Sequence, residues 1–377
     1  MMTDRIRTFL DEVRPDSPCL VVDLETVQER YLAFRRALPD TAVHYAVKAN
    51  PAPDVLRLLV QLGSAFDAAS LPEIRAVLAA GASAERISYG NTIKKERDIA
   101  AAHALGVRMF AVDSFAELDK VARAAPGAGV VCRILTDGAG ADWPLSCKFG
   151  CDPDMAAEIL VRAKALGLVA HGIAFHVGSQ QQEPDAWDRA LSMAASVFRS
   201  VAERGIQLNL VNLGGGFPAH YHGNIPNLTE YARTIKEALH RHFGNTIPET
   251  VIEPGRAIVG DAGVIRSEVV LISRKSAGDS VRWVFLDIGR FNGLAETENE
   301  AIRYPIRTAS DHARREPCVI AGPTCDSADV LYQHQPYPLP VCLDIGDEVL
   351  IECAGAYTAP YSSVGFNGIR PLQTYVI

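Results

Sequence analysis

From residue 25 to about 255 the chain alternates between two hydrophobic patterns. Segments 24–37, 54–62, 71–80, 96–104, 115–124, 155–166, 186–203 and 229–242 read as helices. Between them, short apolar runs at 44–47, 65–66, 86–89, 109–112, 130–135, 172–176, 209–213 and 251–253 read as strands. Eight helix and strand repeats in about 230 residues match the size of a (β/α)8 (TIM) barrel. After residue 260 the texture changes. Runs 264–272, 281–287, 318–320, 348–352 and 374–377 are β-rich, with Gly, Pro and Asp between them. They predict a second, mostly antiparallel β-domain. Run 19–22 is an extra strand expected to join it. The expected fold class is therefore α/β, with a barrel over residues 25–260 and a β-domain built from residues 1–24 plus 261–377.

Composition narrows the function. The 377 residues are 48% hydrophobic and 22% charged, the balance of a soluble globular protein of two domains. No apolar run is long enough to span a bilayer, and residues 1–14 lack the order of a secretory signal. The eight cysteines are scattered without a CxxC pair, which predicts a cytoplasmic protein without a disulfide framework. A net charge of −8 argues against a nucleic-acid partner.

Barrel enzymes keep reactive groups at the carboxyl ends of their strands. Val43, Tyr45 and Val47 alternate with smaller or polar residues, Asn50-Pro51 breaks the run and Asp54 opens the next helix. Lys48 thus falls at the carboxyl end of the first strand. Asp67 follows the second and Arg133 lies in the fifth. The sixth ends in His176-Val177-Gly178-Ser179, the seventh in Gly214-Gly215-Gly216 and the eighth in Glu253-Pro254-Gly255-Arg256. Glycines after strands seven and eight let backbone amides approach a phosphate closely, and Ser179 adds a hydroxyl donor. Phe217-Pro218 follows the glycine run, so it is not a dinucleotide fingerprint. Taken singly, each piece has an ordinary reading: a surface lysine, a bare turn, a structural His176, a Glu253 paired with Arg256. A lysine, a phosphate site and a carboxylate together suggest pyridoxal 5'-phosphate. The lysine would hold the cofactor, Glu253 would keep its pyridine nitrogen protonated and His176 would stack on its ring.

Seven motifs carry a resemblance that spans nearly the whole chain. They are Tyr45-Ala46-Val47-Lys48-Ala49-Asn50, Phe66-Asp67-Ala68-Ala69-Ser70, Phe175-His176-Val177-Gly178-Ser179, Gly214-Gly215-Gly216-Phe217-Pro218, Glu253-Pro254-Gly255-Arg256, Gly322-Pro323-Thr324-Cys325-Asp326 and Gly355-Ala356-Tyr357-Thr358. In this order they resemble the fold-type III pyridoxal-phosphate decarboxylases, the ornithine/diaminopimelate/arginine decarboxylase family. The resemblance implies a barrel plus a β-domain, and a head-to-tail homodimer with two shared active sites. It implies that Lys48 holds the cofactor and that Ser179, Gly214, Gly215, Gly216, Gly255, Arg256 and Tyr357 hold its phosphate. Glu253 would meet the pyridine nitrogen, while Asp67, Glu73, Arg133 and His176 line the ring. Cys325 and Asp326 would reach into the partner's site. Cys325 suits proton delivery to the α-carbon, because an ordinary thiol, with a pKa of about 8.5, is still protonated near neutrality. Its ordinary alternative is a small buried apolar residue.

A substrate with a distal amine needs a carboxylate to receive it. Asp326 is the first candidate and Glu296 the second, with Tyr357 and Phe366 as further substrate contacts. Segment 293–306 resembles the specificity segment of ornithine and lysine decarboxylases. Cys325-Asp326-Ser327 and Gly365-Phe366-Asn367-Gly368 depart from the diaminopimelate pattern, and Pro360-Tyr361 alter the loop after Tyr357. The expected reaction is decarboxylation of L-ornithine to putrescine in polyamine biosynthesis. Lysine or lysine/ornithine decarboxylation comes next, then diaminopimelate. A racemase would place an arginine where Glu253 stands. A non-catalytic regulator on the same fold could lose Lys48 or Cys325, and this chain has both. His220/His222 and His240/His242 have poor spacing for a metal, and none is expected.

Overall fold

The computed structural model describes residues 2–143, 148–223 and 225–377; Cys147 lies outside the described residues. The chain divides into two compact units. One comprises Gln28–Pro218 and Ile225–Gly255. Eight parallel strands close on themselves in it: Thr41–Ala46, Ala65–Ala68, Ile87–Tyr89, Met109–Val112, Gly129–Arg133, Val169–Ala174, Leu210–Asn212 and Glu249–Ile252. The last pairs with the first, Thr250 opposite Thr41, and the two hydroxyls meet at 2.7 Å. Val131, Ala174, Leu210 and Val251 fill the interior together with Met109. Several of these strands, Ile87–Tyr89 and Leu210–Asn212 among them, are buried on both faces, as parallel barrel strands commonly are, which is why they read as short unbroken apolar runs.

The outer helices begin where polar side chains satisfy their first amides. Ser70 accepts from Glu73 N, Ser114 from Glu117 N and Asp152 from Met155 N. Asn227 and Glu230 form a reciprocal capping box. Two local details differ from expectation. The first strand ends at Ala46, and Val47–Ala49 is a short 3-10 turn, so Lys48 steps off the strand. The next helix starts at Pro53 rather than Asp54, after Asn50 Oδ1 has accepted the Ala52 amide at 3.1 Å.

Trp187 anchors the helix Ala186–Ala202 against the loop after the seventh strand. It is fully buried, its ring lies 4.7 Å from Phe217 and 5.5 Å from Tyr231, and Nε1 donates to Leu213 O at 3.2 Å. Trp187→Ala is expected to lose about 3–5 kcal/mol in urea unfolding, from lost burial plus the cavity left behind. A loss below about 1 kcal/mol would mean that the site collapses without cost.

The other unit comprises Met1–Val27, Ala219–Asn224 and Arg256–Ile377. Its main sheet runs Ile306–Thr308, Glu348–Ile351, Gly263–Ser273, Arg282–Leu286, Arg315–Ala321, Val330–Pro340. Cys19–Val22 joins it, antiparallel to Gly263–Ser273 and parallel to Gln373–Val376. Apart from that second pairing and the one between Arg282–Leu286 and Arg315–Ala321, the ladders are antiparallel. A closed parallel barrel with a separate, mostly antiparallel sheet is the expected α/β architecture. The strand Val330–Pro340 was not expected, because Pro336, Pro338 and Pro340 interrupt its pattern. It lies at the sheet edge, where a missing N–H costs no ladder bond. The polar N-terminus also forms an unexpected helix, Asp4–Val13, capped by Thr3, which packs Ile6 and Leu10 on Val21 and Val264.

Candidate active site

Parallel closure brings the carboxyl ends of all eight strands to one rim of the barrel unit. Lys48 follows the first strand and Asp67 lies near the end of the second. Arg133 is the last residue of the fifth, His176 stands two residues past the sixth and Glu253 directly follows the eighth. Lys48 Nζ lies 3.4 Å from Asp67 Oδ2; the carboxylate is 5% exposed and the lysine side chain 42%. The ammonium is thus reachable from solvent while its counter-ion is not. Gly90 lets Asp67 sit there, since a Cβ at that position would stand 1.8 Å from Asp67 Oδ1. That oxygen is buried and has no hydrogen-bond partner among the described residues.

Glu253 is pushed up to about 7, by burial first and by Asp67 second; Lys48, the Asn212 hydrogen bond and Arg133 pull the other way. His176 titrates well below the usual histidine range, chiefly through burial and then through Arg133 and Lys48. It is therefore neutral. Gly178 N donates to its Nδ1 at 3.1 Å, which leaves the proton on Nε2. Arg133 titrates below the usual arginine range for the same first reason, and its guanidinium lies over the Phe149 ring at 5.3 Å. Glu73 reaches back to the Ala69 amide at 2.6 Å, and burial raises it.

The glycines have a reason of their own. Gly214 and Gly216 adopt φ of +65° and +102°, and a Cβ would stand 2.0 Å from Phe175 O and 2.4 Å from Gly178 O. The run is required by backbone packing against the loop after the sixth strand. Ser179 opens the short strand Ser179–Gln181, which pairs with Ala141–Trp143, and Gln181 N donates to Gly216 O at 2.9 Å. Gly255 packs on Ala49 and Ala46. A small cavity of about 30 Å³ within the barrel is lined by Arg133, His176, Asn212 and Glu253, among others. A larger one of about 850 Å³, lined by residues such as Asp188, Arg189 and His242, contains none of the expected site residues.

In the other unit, Arg256 makes a bidentate ion pair with Glu296 (2.6 and 2.7 Å), donates to the Tyr221 hydroxyl at 2.8 Å and lies over the Tyr357 ring at 4.8 Å. This corrects the expectation for Glu296. It is 5% exposed and committed to Arg256, so it is not placed to receive a substrate amine. Tyr357 holds an unusual left-handed backbone, φ 56°.

Cys325 and Asp326 are exposed on the loop 322–329. Asn367 grips Cys325, accepting its amide at 3.2 Å and donating to Sγ at 3.4 Å. Asp326 Oδ1 accepts the Ala328 amide at 2.8 Å. Phe366 packs against Phe291, the ring centroids 4.9 Å apart and the planes tilted by 42°. Three residues escaped the sequence reading. Asp329, 3% exposed, ties the loop together through Thr324 and Arg290, with Gly289 and Gly322 packed against it. Asn367 had drawn notice only as part of an unusual loop, and Asn212 lies at the end of a strand assigned on hydrophobicity alone. Among the described residues, no group of three or more His, Cys, Asp or Glu could hold a metal, and no helix is long and apolar enough to cross a membrane.

The barrel rim supplies the donor types that pyridoxal phosphate requires: a primary amine beside a buried carboxylate, a second mostly buried carboxylate, a neutral imidazole and a glycine-rich turn. Comparison with known proteins agrees. Residues 24–260 match the family model described as "Pyridoxal-dependent decarboxylase, pyridoxal binding domain". The chain is 36% identical to the lysine/ornithine decarboxylase of Selenomonas ruminantium, over 96% of this chain and 90% of that protein. It is 33% identical to the ornithine decarboxylase of Caenorhabditis elegans, over 96% and 88%. The crystal structure of the Paramecium bursaria Chlorella virus arginine decarboxylase bound to agmatine superposes with a TM-score of 0.90, at 28% identity, covering both chains fully. The match to the family model extends over more than half of the chain, and the protein belongs to the pyridoxal-phosphate-dependent amino-acid decarboxylases of fold type III.

Proposed function

We propose that the protein decarboxylates a basic amino acid, with L-ornithine the preferred substrate and putrescine the product. The observation that carries this reading is the rim itself, where Lys48 stands 3.4 Å from the buried Asp67 and Glu253 directly follows the eighth strand. Lys48 Nζ would hold the cofactor, and Asp67, 3.4 Å away, would stabilise the lysine as its ammonium whenever that amine is free. Bound pyridoxal phosphate supplies an electron-withdrawing ring that accepts the electron pair left at the α-carbon as carbon dioxide departs. Glu253 keeps the ring nitrogen protonated. The neutral His176 offers an uncharged face to the ring, and Arg133 and Glu73 complete its surroundings. Ser179, the Gly214–Gly216 turn, Gly255, Arg256 and Tyr357 bind the phosphate, with Glu296 orienting the Arg256 fork.

Cys325, exposed and held by Asn367, delivers the proton to the α-carbon in the site of a second copy, and Asp326 receives the distal ammonium. The functional form is then a homodimer with shared sites. The seven described cysteines form no disulfide with one another, which suits a reducing cytoplasm. A combined lysine/ornithine activity is the second reading, favoured by the Selenomonas relative.

Carbon dioxide release measured for ornithine, lysine, arginine and diaminopimelate tests the substrate. Ornithine is expected to give the highest kcat/KM. Lysine, one methylene longer, should trail by roughly 10–200-fold, the range such a group is worth in a pocket. A lead for arginine or diaminopimelate would overturn the assignment.

A further inference from the structure

We infer that Asn212 is a positioning residue for Glu253, deciding which carboxylate oxygen stays available and keeping that carboxylate a hydrogen-bond acceptor. The inference deepens the reading of Glu253 as the partner of the ring nitrogen, and rests on it. Asn212 ends the seventh strand and Glu253 follows the eighth; parallel pairing of Asn212 with Val251 brings the two side chains together from 41 residues apart. Asn212 is 7% exposed. Gly214 N donates to its Oδ1 at 2.9 Å, and its Nδ2 donates to Glu253 Oε1 at 2.5 Å.

The orientation of the amide follows from chemistry. A backbone N–H can only donate, so the amide oxygen must face Gly214 and the NH2 must face Glu253. The loop leaves little room for another arrangement, because Glu253 N in turn donates to Gly214 O at 2.8 Å. With an N–H aimed at Oε1, a proton on that oxygen would meet a donor head-on. Oε1 is therefore held as an acceptor, and Oε2 is the oxygen left to take or share a proton.

The charged groups around Glu253 make this contact matter. Lys48 and Arg133 favour its ionised form, and Asp67 opposes it. Glu73 faces Asp67 and Lys48, and His176, in the same small cavity, is neutral. Burial and Asp67 bring the carboxyl to about 7, where each remaining contact decides whether it is ionised at neutral pH. The Asn212 amide is an uncharged contact, so it can be changed without altering a charge already present, and an aspartate there still offers the Gly214 amide an acceptor.

The test is the affinity of the cofactor-free protein for pyridoxal phosphate, followed by fluorescence quenching across pH for the native chain, Asn212→Asp, Asn212→Ala and Glu253→Gln. Glu253→Gln should remove one break in the native profile, which identifies that break as the ionisation of Glu253. Asn212→Asp keeps an acceptor for the Gly214 amide but turns the donor into a second carboxylate. It should move the same break upward by about one pH unit or more, an affinity loss of about tenfold below it. Asn212→Ala should move it the same way by less. If Glu253→Gln removes the break while both Asn212 variants leave it in place, the inference is overturned. A uniform loss at every pH, which a merely structural asparagine would give, overturns it equally. If Glu253→Gln leaves the profile unchanged, the reading of Glu253 itself fails, and the inference with it.

Discussion

Lys48→Ala is expected to remove decarboxylase activity, lowering turnover roughly a thousandfold or more, because no other group at the rim replaces its amine. The fold should survive. The lysine side chain is 42% exposed and sits in a 3-10 turn past the strand, so truncation opens no core cavity. It does leave Asp67 without a cation 3.4 Å away, which by itself could disturb the rim. Lys48→Arg separates the two effects. It restores a positive charge beside Asp67, but its guanidinium stays protonated and is no nucleophile. Both variants should be folded by circular dichroism and inactive in carbon dioxide release. An arginine variant retaining a tenth or more of native turnover would show that Lys48 serves by charge alone.

The second large effect concerns Cys325. Cys325→Ala should bind pyridoxal phosphate normally yet turn over roughly 10²–10⁴-fold more slowly, the range associated with a positioned proton donor. Mixing it with inactive Lys48→Ala should then restore activity. In an equal mixture that has exchanged subunits, half the dimers are hybrids, and each hybrid has one site with both an intact lysine and an intact thiol. About a quarter of native activity should return if sites are built from two copies. No recovery, with exchange demonstrated by differently tagged chains, would place Cys325 in the site of its own chain or outside any site.

Much of this was legible in the amino-acid order for identifiable reasons. Barrel strands such as Ile87–Tyr89 and Leu210–Asn212 are buried on both faces, and the helices between them open at Ser70, Ser114, Asp152 and Asn227, whose side chains cap free amides. Once the strands are placed, Lys48, Asp67, Arg133, His176 and Glu253 fall near one rim, because a closed parallel sheet has only one carboxyl end. What stayed hidden depends on pairings between distant residues. Nothing local shows that Glu296 closes on Arg256, 40 residues away, rather than facing a substrate. Asp329 reads as one acid among many until Gly289 and Gly322 are seen packed around it. Val330–Pro340 hides its strand because three prolines obscure a pattern that only an edge position tolerates. The glycine run shows the reverse case. Its presence suggested a phosphate, yet Gly214 and Gly216 are already demanded by the carbonyls of Phe175 and Gly178.

Lys48 is the covalent attachment point on which the proposed chemistry depends. Borohydride reduction of the purified protein with bound pyridoxal phosphate, followed by proteolysis and mass spectrometry, reads it directly. The peptide containing Tyr45-Ala46-Val47-Lys48-Ala49-Asn50 should carry the reduced cofactor on Lys48, and no other lysine should be labelled in proportion to activity lost. Label on a different lysine, with Lys48 unmodified in fully inactivated protein, would contradict the account.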